Sequence, residues 1–263
     1  MLEAYPDNRL SRICLWGFSA LVMAFLMLPT LVVAPLSFSA SDLLEFPPRA
    51  YSLRWYDHFF GSATWMAALR TSLVLGTLTA MLAVPLGLLA CISINRLGGK
   101  AAVTIQGILL TPSIVPGILL AIGLFFVLAA QHLVGTLFGV LVGHVVLAIP
   151  VVCIVLLPAL ARFDWNQVQA ARSLGANWAR AIGGIIVPQL QISLLSAILM
   201  AFLTSLDESV ISIFVSSGQN STLPKLMFIS LRDQIDPTIA AISTVWTAMV
   251  VVVVLIVTLH QKS

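Results

Sequence analysis

Six apolar runs of about 21 to 31 residues, separated by more polar breaks, constrain this chain more than any other feature of its sequence. They lie at about Ile13 to Phe38, Trp65 to Ile94, Ala101 to Ala130, Leu133 to Leu160, Ile185 to Val215 and Ile239 to Leu259. A helix crosses the hydrocarbon core of a bilayer with about 20 such residues. The runs therefore predict an all-α, polytopic membrane protein of about six transmembrane helices, with a first helix over about 13–38 and a core over about 65–259. No domain boundary, tandem repeat or low-complexity tract interrupts residues 1–263, which read as one transmembrane domain. Composition agrees: 60% of residues are hydrophobic and 9% charged, against about 25% charged in a soluble domain.

A net charge of +3 does not indicate nucleic acid, because no cluster of four or more basic residues with interleaved aromatics occurs. The basic excess fits membrane topology instead. Six crossings return both termini to one side. With the N-terminus inside, Arg9, Arg12, Arg96, Lys100, Arg162, Arg172, Arg180 and Lys262 are cytoplasmic, against Arg49, Arg54, Arg70, Lys225 and Arg232 outside or near that edge. Positive residues favour the cytoplasmic side, so this orientation is expected. Cys14, Cys91 and Cys153 each sit within an apolar run, without metal-ligand or redox spacing, and read as small packed residues. The first run is too long for a signal-peptide core and lacks a small-residue cleavage pattern, so it reads as an anchor.

Several features belong to the breaks and the helix faces. Pro47-Pro48 and the aromatic group Trp55, Tyr56, His58, Phe59 and Phe60 fall in the break of about Ser39 to Thr64, where amphipathic rings suit the outer interface. Pro85, Pro112, Pro116, Pro150 and Pro158 lie within or at the ends of runs, where kinks are tolerated. Gly135, Gly139 and Gly143 repeat every four residues in the fourth run and predict close helix packing. His144 reads as a hydrogen-bonded packing residue.

The break of about Arg162 to Gly184 is unlike an ordinary loop. Asp164 or Asn166 can cap a short helix, and Gly175 stands where that helix would end in a left-handed turn. Ala176 and Asn177 restart a second turn carrying Trp178 and Arg180, and Pro188 follows near the start of the next helix. Two short helices with a projecting aromatic suit docking. At these residues the chain resembles the inner-membrane subunits of type I ATP-binding-cassette importers, whose motif runs Glu-Ala-Ala, three residues, Gly, about nine residues, Ile, one residue, Leu-Pro. Here Gln169-Ala170-Ala171 is followed by Gly175, and Ile185, Ile186 and Pro188 close the pattern, with Gln169 in place of the usual Glu and Val187 in place of Leu.

The resemblance implies a non-catalytic permease of a bacterial inner membrane, whose segment 162–188 seats in a cleft of a separate ATPase. Gln169, Ala170, Ala171, Gly175, Trp178, Arg180 and Pro188 are its expected coupling residues. The chain has no GxxxxGK[ST] phosphate loop, and Gly98-Gly99-Lys100 is a tight basic turn. No cofactor is expected on this chain. ATP and Mg would be used by two copies of the ATPase, with a homologous second permease, an extracytoplasmic substrate-binding protein and membrane lipid as the other partners.

A second resemblance covers most of the chain and points to the spermidine/putrescine-type branch, and to the shorter of its two permeases. It is carried by Phe46-Pro-Pro-Arg-Ala-Tyr-Ser-Leu-Arg-Trp-Tyr56, Gly143-His-Val-Val-Leu-Ala-Ile-Pro150 and Ser205-Leu-Asp-Glu-Ser-Val-Ile-Ser-Ile-Phe214. Permeases for 4-aminobutyrate, aminophosphonates, thiamine and ferric iron look similar, and these substrates stay open. Asp207 and Glu208 interrupt an apolar run, where an ionised carboxylate needs a cavity, a partner or a role. On a continuous helix Ser205, Ser209, Ser212 and Ser216 share a face that Glu208 borders, while Asp207 points away. Glu208 is then the expected path-facing group for an ammonium substrate, with an ion pair to the partner permease as the alternative. An ion-coupled carrier or channel using the two carboxylates is the rival from another class, and gives no reason for the helix-Gly-helix segment. A membrane enzyme is disfavoured by the scattered His58, His132, His144 and His260.

Overall fold

The computed structural model describes residues 9–233 and 236–260; Lys262, counted above on the cytoplasmic side, lies outside them. In chain order the helices are α1 (Arg9–Leu36), α2 (Arg54–Gly61), α3 (Ala63–Leu97), α4 (Gly99–Ile114), α5 (Gly117–Ala130), α6 (Leu137–Ala161), α7 (Asn166–Ser173), α8 (Trp178–Ala181), α9 (Val187–Gln189), α10 (Gln191–Leu206), α11 (Val210–Val215), α12 (Leu223–Asp233) and α13 (Thr238–His260). A π-helical turn, Ile182–Ile186, joins α8 to α9. The described residues fall into two compact units, one within Met1–Gly61 and Ser230–Met249, the other within Ser62–Ile229 and Val250–Ser263.

By length and composition α1, α3 and α6 each suffice to cross a membrane, and the count rises to as many as five if each of two bent helix pairs is one span. The apolar stretch Thr238–Val252 opens α13, the sixth apolar helix. At 1.5 Å per residue the 35 residues of α3 extend about 52 Å, well beyond a hydrocarbon core of about 30 Å. Its C-terminal end therefore either projects from the membrane or runs steeply tilted.

Two expected continuous helices are broken. The run Ala101 to Ala130 is α4 and α5, bent by 103°. The cause is Pro116, which has no N–H to donate and forces Val115 out of the helical region, to φ −70 and ψ 133. The run Ile185 to Val215 is divided twice. Its first residues belong to the segment leading to α9, with an 86° bend before α10. Its interior stops at Leu206 and resumes at Val210. The other runs match α1, α3, α6 and α13 to within a few residues.

In the first unit, the Ser37 hydroxyl bonds the Tyr56 hydroxyl at 2.7 Å and the Phe38 and Tyr56 rings stand 5.2 Å apart. His58 Nδ1 bonds Thr238 Oγ1 at 3.1 Å, tying α2 to the start of α13. In the second unit α3, α6 and α10 form the centre, and their facing residues Ala83, Leu88, Cys91, Val152, Cys153, Leu156, Ala197 and Ala201 are buried. Both cysteines here are packed core residues, while Cys14 is exposed. Gly87 makes the α3–α6 contact possible: a Cβ there would lie 2.5 Å from Val152 Cγ1.

Candidate functional site

The segment after α6 folds as two short helices around a glycine. Asp164 Oδ1 accepts the Asn166 N–H at 3.1 Å and starts α7. At its other end the Ala176 N–H donates to Ala171 O and the Gly175 N–H to Arg172 O, both at 3.0 Å, with Gly175 at φ 91. This paired closure of a helix end requires a residue at positive φ, which explains the four-residue spacing from Ala171 to Gly175. Asn177 then caps α8, its Oδ1 accepting the Arg180 N–H at 2.9 Å. Gly98 and Gly99, at φ 59 and 58, form the tight turn expected before Lys100.

Val168, Ala181 and Ile186 anchor this arm in the core shared by α3, α6 and α10. Gln169, Ala170, Gly175, Arg180 and Pro188 are exposed; Ala171 and Trp178 are half-buried. Leu174, beside the glycine, is 89% exposed, an unusual position for a large aliphatic side chain on a polar helix end. Gln189 Nε2 donates to Gln167 Oε1 at 2.6 Å and bridges α9 back to α7, a contact that no local pattern announces.

The second cluster lies at the break between α10 and α11. Asp207 caps α10, its N–H donating to Leu203 O at 3.0 Å, and its side chain is exposed. Glu208 is half-buried, and its Oε1 accepts the Ile211 N–H at 2.7 Å, capping α11. The acidic pair thus ends one helix and begins another, so the single helical face drawn through Ser205, Ser209, Ser212 and Ser216 does not exist as such. Ser205 and Ser212 nonetheless converge. Buried His144 of α6 bonds Ser205 Oγ through Nδ1 at 2.7 Å and Ser212 Oγ through Nε2 at 3.2 Å. One imidazole therefore holds both sides of the break. Ser209 is the half-buried residue before α11, and the Ser216 hydroxyl donates back to Ser212 O at 2.7 Å.

Beyond α11 the chain is held by distant partners. The Gly135 N–H donates to Val215 O at 2.7 Å, Asn220 Nδ2 to Gly135 O at 2.8 Å, and the Leu223 N–H to Ser72 Oγ at 2.8 Å. Gly135 precedes α6 rather than extending its small-residue face. Gly143 does meet α11, where a Cβ would lie 2.7 Å from Ile211 Cγ2. Buried Lys225 donates from Nζ to Ser216 O at 2.5 Å, and burial pushes its pKa below the ordinary lysine value.

A helix-Gly-helix arm thus follows the long apolar helix α6. Residues 83–263 match the family described as the binding-protein-dependent transport system inner membrane component. The chain belongs to that family. Among its relatives, the permease is 31% identical over 241 residues to the putrescine transport system permease protein PotI of Escherichia coli, covering 87% of this chain and 84% of that one. It is 29% identical over 248 residues to the spermidine/putrescine transport system permease protein PotC of Haemophilus influenzae, covering 93% and 94%. In fold the permease resembles a bacterial alginate ABC transporter solved in complex with an alginate pentasaccharide-bound periplasmic protein, with a TM-score of 0.71 at 15% identity, over 95% of this chain and 92% of that one. It is a multi-pass transport component of the inner-membrane family, with the all-α fold expected from its apolar runs.

Proposed function

We propose that this permease imports polyamines of the spermidine/putrescine class as one half of a heterodimeric pathway, with a homologous sister permease as the other half. Two copies of a separate ABC ATPase drive it, using ATP and Mg, and an extracytoplasmic binding protein delivers the substrate. The chain itself holds no cofactor, and both termini lie in the cytoplasm of a bacterial cell, as the distribution of Lys and Arg favours. The polyamine assignment draws its support from the relatives named above.

The observation that carries the ATPase reading is the exposed arm of α7, Gly175 and α8, anchored by Val168 and Ala181 and presenting Leu174 outward. Gln169, Ala170, Ala171, Gly175, Trp178, Arg180 and Pro188 are its coupling residues. A Cβ at Gly175 would meet nothing within 4 Å, so only backbone conformation opposes a substitution there. Gly175→Val, which strains a positive φ, is expected to weaken association with the ATPase and to lower ATP-driven uptake together, while Gly175→Asn, tolerant of that φ, largely preserves both. Equal behaviour of the two variants contradicts the assignment.

The substrate path includes Glu208 and Asp207, with Ser205, Ser209 and Ser212 around the break. Its support is a half-buried carboxylate beside hydroxyls, chemistry suited to an ammonium group. Gln at 208 keeps an oxygen for the Ile211 N–H while losing the charge. Glu208→Gln is therefore expected to reduce polyamine uptake in reconstituted vesicles more than Asp207→Asn does, and the reverse order transfers the role to Asp207.

A further inference from the structure

The coupling arm carries a feature that helix capping does not explain. Arg96, near the end of α3, and Arg172, in α7, both rest against the indole of Trp178, with Cζ 4.1 and 4.8 Å from the ring centroid. They border a cleft of about 600 Å³ lined also by Asn95, Gln169 and Ser173. No carboxylate lines the cleft, and among the described residues neither arginine has an acidic partner within 4.0 Å. The nearest acid along the arm, Asp164, accepts the Asn166 N–H. Gln169, on the cleft wall, stands where the resembling motif has Glu, so the arm places an amide there and not a carboxylate.

Two guanidiniums gathered at one ring favour an anion between or beside them. Stacking on the indole restricts their rotamers, so less freedom is lost when they bind. The planar forks match a carboxylate, and the amide of Gln169 adds a neutral donor, while Asn95 Nδ2 already donates to Cys91 O at 3.3 Å. Most of the lining is polar, and the cleft sits beside Leu174 and Gly175, the exposed tip of the arm.

We propose that this cleft receives an aspartate or glutamate side chain of the ATPase subunit, clamped by Arg96 and Arg172, and that Gln169 keeps the two arginines free for it. The polarity of the interaction at this position is thus set by cations on the permease and an acid on the ATPase. The proposal rests on the coupling reading above.

The test measures affinity between the membrane complex and its ATPase at about 50 and about 500 mM salt, a range over which the screening length falls severalfold. The wild type is expected to bind and to weaken as salt rises. Arg96→Gln with Arg172→Gln should weaken low-salt binding about tenfold and flatten the salt dependence, while Lys at both positions restores part of each. Gln169→Glu, an exposed change that leaves the packing intact, should also weaken binding, and its effect should vanish in the double-Gln background. A merely structural arginine pair would not give that non-additivity. Tighter or unchanged binding by Gln169→Glu overturns the proposal. So does an arginine effect reproduced on phosphatidylglycerol vesicles without the ATPase, which assigns the cleft to lipid phosphate. If the wild type does not bind the ATPase at all, the coupling reading itself fails. If Gly175→Val abolishes binding while the charge variants do not alter it, only the present inference fails.

Discussion

The two ends of α6 lead into two different kinds of connection. Beyond its C-terminus, the arm from Asp164 to Gln189 makes most of its hydrogen bonds with itself, through Asp164, Ala171, Gly175, Asn177 and the Gln167–Gln189 bridge. Before its N-terminus, Gly135 and the 215–225 segment are bound to one another across the sequence, and that segment is bound to Ser72 of α3. An arm with internal bonds can shift as a unit against a partner without breaking them. The other connection cannot move without releasing α3 or the turn into α6. The arm meets the α3–α6–α10 core through its buried anchors, Val168, Ala181 and Ile186.

The sharpest way to break this contrast is at His144, where the core meets the divided fifth helix. Hydrogen bonds between helices in a membrane contribute on average about 0.6 kcal/mol each and at most about 1.7. His144→Leu removes two and leaves buried Ser205 short of a partner, while Ser212 still donates to Glu208 O at 3.1 Å. A loss of about 2 kcal/mol is expected, seen as a lower unfolding temperature of the detergent-solubilised protein. His144→Gln, able to bond one serine, should fall between. A leucine variant as stable as the wild type would mean that the break is held by packing alone.

Which parts of this arrangement were legible beforehand follows the same division. The arm could be read because its rules are local: a cap, a glycine at positive φ and a restart within a dozen residues. The apolar runs located the spanning helices for the same reason. What escaped was long-range. Nothing near Asp207 and Glu208 signals that the chain breaks there, with the Asp207 backbone closing one helix and the Glu208 carboxylate starting the next, since an acidic pair within an apolar stretch reads equally as a charged face. The His144 partners lie 61 and 68 residues away. The small-residue pattern at Gly135, Gly139 and Gly143 drew attention to α6, whereas the glycine that faces α6 from α3 is Gly87, which no glycine repeat marks.

That approach supplies the next test. A Cβ at Gly87 would lie 2.5 Å from Val152 Cγ1 and 3.1 Å from its Cβ, and valine has little rotamer freedom in a helix with which to yield. Gly87→Ala should cost about 1 to 2 kcal/mol through overpacking. Val152→Ala in the same chain should recover part of it by vacating the contested space. If the double variant is no more stable than Gly87→Ala, the clash is not what separates the helices.

The smallest effect is the most informative about the arm. Asn177→Ala removes the cap of α8, worth about 1 kcal/mol, or about a fivefold change in a local opening equilibrium. Because the arm's bonds are internal, that change should remain there. Hydrogen exchange at the Arg180 and Ala181 amides should accelerate about fivefold, while the unfolding temperature and exchange in α3 and α10 stay as they were. Asn220→Ala, which also deletes a single side-chain bond, should by contrast loosen amides on both sides of its contact, at Gly135 and through 217–223, because that bond joins separate parts of the chain. A fivefold acceleration that spreads from Asn177 into the core would show that the arm is continuous with the membrane helices and does not move as a separate lever.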